Sequence, residues 1–98
     1  MATYITLIDW TDQGIRNYPD TVERAAAFEK LCEQEGAAVK DIYWCLGQHD
    51  IVAVIDAPDD ETATALLLRT GSLGNIRTRT LRGFSRDEMA GIIAKTGS

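Results

Sequence analysis

One short apolar run limits the fold of this chain more than any other feature. Residues 51–55 read Ile-Val-Ala-Val-Ile, with no polar side chain among them, and Pro58 closes the segment. A strand that is covered on one side only alternates apolar and polar residues, because successive side chains point to opposite faces of the sheet. This segment is therefore predicted to be a strand that is covered on both faces.

The segments around this run follow the order β-α-β-β-α-β, with a closing helix. Strands rich in β-branched and aromatic residues are predicted at residues 3–9, 38–46, 49–57 and 75–84. Apolar residues at helical spacing predict a short helical turn opened by Thr11 or Asp12 and a helix that begins at Pro19, with Gly36 as its C-terminal cap. They also predict a helix that begins at Asp59, with Gly71 just past its end, and a closing helix with Ser85 and Glu88 as a capping box. Only Gly47 and Gln48 separate the second and third strands, which predicts an antiparallel hairpin.

This order of elements predicts a ferredoxin-like α+β fold, with a four-stranded antiparallel sheet. Right-handed crossovers place both main helices on one face of that sheet. The 98 residues form a single domain, residues 1–98, because a second core would need more chain. Since the strands are apolar on both sides, a second copy of the sheet is predicted to cover the helix-free face, and the protein is expected to be a homodimer.

Charge, hydropathy and cysteine content exclude several classes of partner. The net charge of −5 argues against nucleic acid, because phosphate binding draws on clustered Lys and Arg. No apolar run approaches the roughly 18–20 residues of a membrane helix. No basic residue precedes the first apolar run, as it would in a secretory signal peptide. A cytoplasmic protein without a membrane partner is therefore expected. Cys32 and Cys45 are too few for a disulfide framework, and both are expected to be buried, unreactive thiols.

A cluster of arginines interrupts this acidic balance near the end of the chain. Five arginines and no acid lie within residues 69–86. Arg77 and Arg79 share one face of the last predicted strand, which lies at a sheet edge, where charges discourage unwanted strand pairing. These guanidinium groups could also pair with acids of a second subunit, such as Asp41 or Asp56.

The sequence Gly47-Gln48-His49-Asp50 holds the single histidine and is the main candidate for chemistry. His49 could act as a general base or as a pH-responsive ligand contact, because the pKa of an imidazole is ordinarily about 6.5. Consecutive strand residues point to opposite faces, so a contact between His49 and Asp50 would need a bulge or a turn at this place. The alternative is that Gly47 shapes a turn and Asp50 bonds local backbone amides.

Aromatic residues near the first two strands form a second candidate. Tyr4, Trp10, Tyr43 and Trp44 could line a cavity between sheet and helices, or they could fill the core and the dimer interface. The predicted ligand-binding residues are Tyr4, Trp10, Trp44, His49 and Asp50. One histidine and scattered carboxylates supply no convergent set of metal ligands, so neither a metal nor another cofactor is expected.

Three stretches of the chain together resemble the GYD domain family of the dimeric α/β-barrel, ferredoxin-like group. They are YITLIDWTDQGIRN, GQHDIVAVIDAPDDETA and GSLGNIRTRTLRGF, and the resemblance covers nearly the whole chain. It implies two sheets packed face to face. The family is named for Gly, Tyr and Asp at the entry to the third strand. Gly47 and Asp50 match that signature, whereas His49 stands where the tyrosine is expected.

Two functions follow from these residues and from the resemblance. The wider group includes cofactor-independent monooxygenases, isomerases, haem-handling enzymes and ligand-sensing modules. The first hypothesis is a homodimer that binds or senses a small organic molecule, or stabilises a partner, without catalysis. The alternative is a cofactor-independent monooxygenase or isomerase that uses His49 as acid or base, with Tyr4 or Trp44 shaping the pocket. The first is favoured because the sequence shows no convergent set of polar groups.

Overall fold

The computed structural model describes residues 1–97 as one antiparallel sheet with helices packed against one of its faces. The strands are β1 (Ala2–Trp10), β2 (Ala38–Trp44), β3 (Ile51–Ala57) and β4 (Ile76–Gly83), in the order β2-β3-β1-β4. The helices are α1 (Asp12–Arg16), α2 (Thr21–Gln34), α3 (Asp60–Gly71) and α4 (Arg86–Lys95), with a 3₁₀ turn at Tyr18–Asp20 before α2. The ferredoxin-like prediction is confirmed. Among the described residues, no helix has the length and apolar character needed to cross a bilayer.

Side-chain caps fix the beginnings of three helices. Thr11, Asp59 and Ser85 each accept a hydrogen bond from a backbone amide in the first turn of α1, α3 and α4. Ser85 and Glu88 form the predicted capping box. Hydrogen bonds from Thr62 to Asp59 and from Ser85 to Glu88 lower the pKa of both carboxyl groups, because they favour the charged form.

The core lies between the helices and one face of the sheet. Tyr4, Thr6 and Ile8 of β1 are buried on this face, and Cys32 of α2 and Leu66 of α3 pack there from above. Burial raises the pKa of the Cys32 thiol to about 11. This cysteine is therefore protonated and unreactive at neutral pH, as predicted.

The opposite face of the sheet carries no packed helix, and we refer to it as the open face. Its apolar residues are Ile5, Leu7, Tyr43, Val52, Val54 and Leu81. Within the sheet, Ile5 pairs with Val54 and Leu7 pairs with Val52. The predicted strands with two apolar faces are therefore present, and their second face is only partly shielded from solvent within one chain.

The hairpin between β2 and β3 is longer than predicted. Pairing stops at Trp44 and Ile51, so the loop contains residues 45–50 and not only Gly47 and Gln48. Cys45 lies in this loop and is exposed, and the prediction that both cysteines are buried is wrong for it. The regular ladder ends at Asp50, because its backbone N–H donates to the carbonyl of Ile8 on β1 (3.0 Å), although its carbonyl still accepts from the backbone N–H of Cys45 (2.7 Å).

Two smaller differences follow from local backbone geometry. A register shift between Val39 and Asp41 lets Val39 pack against the core, whereas strict alternation predicted it on the face of Tyr43. The helix α3 includes Gly71, which was predicted to lie just past its end. The glycine that turns the chain into β4 is Gly74, with a φ of 87°.

Candidate functional site

One end of the sheet gathers the polar residues that the sequence singled out, and we call this group the hairpin site. It consists of Asp9 and Trp10 at the end of β1 and of His49 and Asp50 before β3. His49 Nδ1 lies 3.1 Å from Asp9 Oδ1. Asp50 instead accepts a hydrogen bond at its Oδ2 from the backbone N–H of Trp10, at 2.9 Å. The carboxylate that contacts the histidine therefore comes from β1 and not from the adjacent Asp50.

Asp50 fastens the hairpin loop to the end of β1 through both its backbone and its side chain. Its N–H donates to the carbonyl of Ile8 while its carboxylate accepts from Trp10, and its own carbonyl accepts from Cys45 at 2.7 Å. The backbone amide that it satisfies lies forty residues earlier in the chain, whereas the sequence suggested a local one. Gly47 makes the bend possible with a φ of 130°, which L side chains rarely adopt.

The contact between His49 and Asp9 lies at the rim of the open face. Asp9 pairs across the sheet with Arg77 of β4, and both belong to that face. The side chain of His49 is 21% exposed and that of Asp9 is 36% exposed. A carboxylate at this position can orient an imidazole toward a molecule bound at the rim, which is the arrangement that a general acid or base needs.

Tyr4 lies away from the hairpin site, on the core side of the sheet. It is four residues before Ile8 along β1, roughly 13 Å at the usual strand rise. Its hydroxyl donates to Asp60 Oδ1 at 2.5 Å, and this bond is the main reason that the pKa of Tyr4 is raised to about 12. The guanidinium carbon of Arg82 lies 5.8 Å from the centre of the tyrosine ring.

The two tryptophans have different surroundings. The indole N–H of Trp44 donates to the hydroxyl of Thr21 at 3.0 Å, where α2 begins beside the edge strand β2. The indole N–H of Trp10 is buried and has no hydrogen-bond partner within residues 1–97. The structure thus brings Trp10, His49 and Asp50 together, and it holds Trp44 by the start of α2.

One residue of the hairpin site, Asp9, was not selected from the sequence. It contacts His49 through the register of β1 with β3, which is a long-range property. Arg77, noted in the sequence only as part of the arginine cluster, pairs with Asp9 in the register of β1 with β4. Within residues 1–97, no group of three or more His, Cys, Asp and Glu side chains is close enough together to hold a metal ion.

Comparison with known proteins gives matches in sequence and in structure. The family model described as GYD domain matches residues 4–93. A Thermus thermophilus protein named glutamine synthetase and cystathionine beta-lyase binding protein is 33% identical over 82 residues, which is 83% of this chain and 86% of the relative.

Solved structures share the fold. TTHA0845 from Thermus thermophilus matches with a TM-score of 0.56 at 24% identity, over 87% of this chain and 95% of that one. A feast or famine regulatory protein from M. tuberculosis, complexed with L-methionine, matches with a TM-score of 0.63 at 19% identity, over 87% of this chain and 51% of the regulator. The M. tuberculosis leucine response regulatory protein gives 0.59 at 20% identity, with 86% and 51% covered. The extent of the family match and the 33% identical relative establish that this chain belongs to the GYD domain family.

Proposed function

We propose that this chain is a binding protein without catalytic activity, and that it works as a homodimer joined through the open faces of two sheets. One observation carries the proposal. The open face has an apolar centre that no helix within residues 1–97 covers, with an acid on one edge strand and arginines on the other. A second copy of the same face matches both its apolar character and its charges.

The apolar centre favours burial against a partner. Contiguous apolar patches of this kind on a soluble protein mark interaction sites. Leu81 of β4 is 52% exposed, and the neighbouring Ile5 of β1 is only partly buried. Full burial of one such side chain contributes about 1.5–3 kcal/mol, so covering the centre on both subunits stabilises a dimer substantially.

The charges on the open face favour one orientation of the second copy. The strand order places Asp41 on the β2 edge and Arg77 and Arg79 on the β4 edge. A two-fold axis parallel to the strands lays β4 of each subunit over β2 of its partner, which brings arginines toward a carboxylate. An axis across the strands would stack β4 on β4 and bring like charges together. Face-to-face sheets commonly pack with strands aligned to within about 30°, which both axes satisfy, so the charges of the edge strands decide between them.

The family comparison supports binding as the role of this dimer. The name of the Thermus relative states that it binds two enzymes, and we infer a related role for this chain, with a partner protein or a small organic molecule as the bound species. Tyr4 and His49 lie at different positions along the sheet, which argues against a shared catalytic pocket. A cytoplasmic location is part of the proposal, because Cys32 and Cys45 are free thiols, as expected in a reducing compartment.

Replacement of Leu81 by Asp tests the dimer. A charge on the apolar surface of the open face, beside Ile5, should give a monomer in size-exclusion chromatography with light scattering, at a concentration at which the wild-type protein is a dimer. Leu68 on α3 is 69% exposed and lies away from the open face, so L68D is the matched control and should remain a dimer. A monomeric wild-type protein, or a dimer that survives L81D, would contradict the proposal.

The contact between His49 and Asp9 supports a second candidate, a cofactor-independent monooxygenase or isomerase. An imidazole anchored by a carboxylate and still partly exposed can act as a general acid or base. The variant H49Q separates the two functions. An enzyme of this class should lose turnover while it remains a dimer, whereas a binding protein that does not use the histidine should keep its ligand affinity.

A further inference from the structure

A cavity lies between α2 and α3, on the side of the sheet opposite to the open face, and we call it the interhelix cavity. Its volume is about 280 Å³. Its apolar lining consists of Ala27, Phe28, Leu31, Leu73 and Ile76. Small-molecule sites usually begin near 300 Å³ and are mostly apolar with a few polar groups, so this cavity suits a small ligand.

The space exists because small residues occupy the parts of the two helices that approach each other. On α2 the cavity wall includes Ala27, which is one of three consecutive alanines. On α3 it includes Thr70, and the helix ends at Gly71 directly afterwards. Neither position carries a long apolar side chain that could fill the gap.

Two arginines add positive charge to this apolar lining. Arg24 of α2 donates from Nη1 to the carbonyl of Asn17 at 2.9 Å and from Nη2 to the carbonyl of Gly14 at 3.3 Å. These carbonyls hold the guanidinium group in place without neutralising it. Within residues 1–97, no carboxylate lies within 4.0 Å of its nitrogen atoms.

The second arginine, Arg69 of α3, has a weak ion-pair partner. Its Nη1 lies 3.5 Å from Glu35 Oε1, and the two side chains are 61% and 48% exposed. Solvent-exposed pairs of this kind contribute little to stability, at most about 1 kcal/mol. A carboxylate that enters the cavity can therefore replace Glu35 at small cost.

We propose that the interhelix cavity binds a small carboxylate with an apolar body, such as a medium-chain alkanoate. The carboxylate lies near Arg24 and Arg69, and the apolar body packs against Phe28 and Leu31. This inference rests on the proposed binding function and gives it a ligand class. The cavity and the open face lie on opposite sides of the sheet, so ligand binding and dimer formation can be measured separately.

Titration of the full chain with octanoate tests the ligand class. Isothermal calorimetry should show saturable octanoate binding, and amide shifts in two-dimensional NMR spectra should concentrate on α2 and α3. Octylamine and octan-1-ol have the same apolar body without the negative charge. Octylamine should bind at least about tenfold more weakly than octanoate, because two guanidinium groups repel its ammonium group.

Variants with matched controls locate the binding. Ala27→Phe fills the cavity and should abolish octanoate binding, whereas Ala26→Phe, at the neighbouring position of α2 that does not line the cavity, should leave it unchanged. Arg69→Gln should weaken binding about three- to tenfold through loss of a charge-assisted hydrogen bond. Lys30→Gln removes one positive charge from the exposed side of the same α2 helix and should have no comparable effect.

Three outcomes would overturn the inference: no saturable octanoate binding, equal affinity for octylamine, or unchanged affinity in both A27F and R69Q. Circular dichroism confirms that each variant is folded, and R69Q alone carries the test if A27F does not fold. Light scattering on the same samples gives the oligomeric state. A monomer that binds octanoate would refute the proposed dimer and support the ligand site in the cavity. A dimer that does not bind octanoate would support the dimer and refute the ligand site.

Discussion

Tyr4 and Asp60 form a short side-chain hydrogen bond that joins the sheet to the first turn of α3. The tyrosine is buried, and ionisation of its hydroxyl would remove the donor and place two negative charges side by side. The bond raises the pKa of Tyr4 from 10.0 to about 12. Because the folded-state pKa is the higher one, the interaction stabilises the fold fully below pH 10 and is lost as the pH rises toward 12.

We therefore expect Tyr4→Phe to reduce the dependence of stability on alkaline pH. Urea unfolding midpoints of the wild-type protein should fall between about pH 10 and pH 12, and those of Y4F should fall less steeply over this range. Tyr18 is 60% exposed, and among the described residues no carboxylate accepts a hydrogen bond from its hydroxyl, so Y18F should keep the wild-type slope. If the urea midpoints of the wild type and Y4F change equally with pH, the hydrogen bond to Asp60 does not raise the pKa of Tyr4.

Among the elements, α1 is fixed closely against the turn that leads into β4. The backbone N–H of Thr11 donates to the carbonyl of Asn75 at 3.1 Å, and the hydroxyl of Thr11 donates to the carbonyl of Gly74 at 2.6 Å. Gly14 of α1 lies against the same turn, where a Cβ atom would be 1.9 Å from the carbonyl oxygen of Asn75. The close approach of two backbone segments therefore requires glycine at this position.

Gly14→Ala should force α1 away from this turn. We expect the free energy of unfolding to fall by about 2 kcal/mol or more, because the clash is with backbone that cannot rotate away. Gly91 of α4 has no atom within 4 Å of an added Cβ, so G91A should be neutral or should stabilise the helix by up to about 1 kcal/mol. Urea denaturation measures both, and a G14A protein as stable as the wild type would mean that α1 is not docked there.

Local signals explain which of these elements were predictable. Runs of β-branched and aromatic residues indicated the strands, and Asp59 and the Ser85 capping box indicated helix starts, because each signal acts within a few residues. The end of the β2–β3 pairing was not predictable, since it depends on the bonds that Asp50 makes to Ile8 and Trp10 of β1, far away in the sequence. The carboxylate beside His49 was missed for the same reason. Asp9 approaches it only through the register of β1 with β3, and the interhelix cavity depends on how two helices sit on the finished sheet.

At the scale of the whole molecule, the opposite charges of the two edge strands provide a test of dimer geometry. With an axis parallel to the strands, Arg79 of one subunit and Asp41 of the other lie on facing edge strands, offset along the strands by one position of the same face. Arg79 is level with Leu7 of β1, whereas Asp41 is level with Val54 of β3 and so with Ile5 of β1. Because the dimer is symmetric, the contact between these two edge strands occurs twice, and a charge change at either residue affects both copies of it.

Arg79→Glu and Asp41→Arg should each weaken the dimer about three- to tenfold at low salt, and the double variant should regain most of that loss. Sedimentation equilibrium gives the dissociation constants. Arg16→Glu on the exposed surface of α1 is the matched control and should change little. If the losses of dimer affinity in the two single variants simply add in the double variant, the parallel axis is excluded. The L81D variant tests separately whether the open face forms the interface.

The position of β1 in the sheet has a consequence for how the protein is made. This strand lies between β3 and β4, and Tyr4 pairs with Ile55 on one side and with Arg82 on the other. During translation, β1 therefore emerges long before the segment that must occupy its second edge. Until Ile76–Gly83 leaves the ribosome, the nascent chain presents an unpaired apolar strand that can join a neighbouring polypeptide. Such distant pairings also slow folding, so the timing of synthesis and chaperone occupancy at the ribosome should strongly influence how much of this protein reaches its native state.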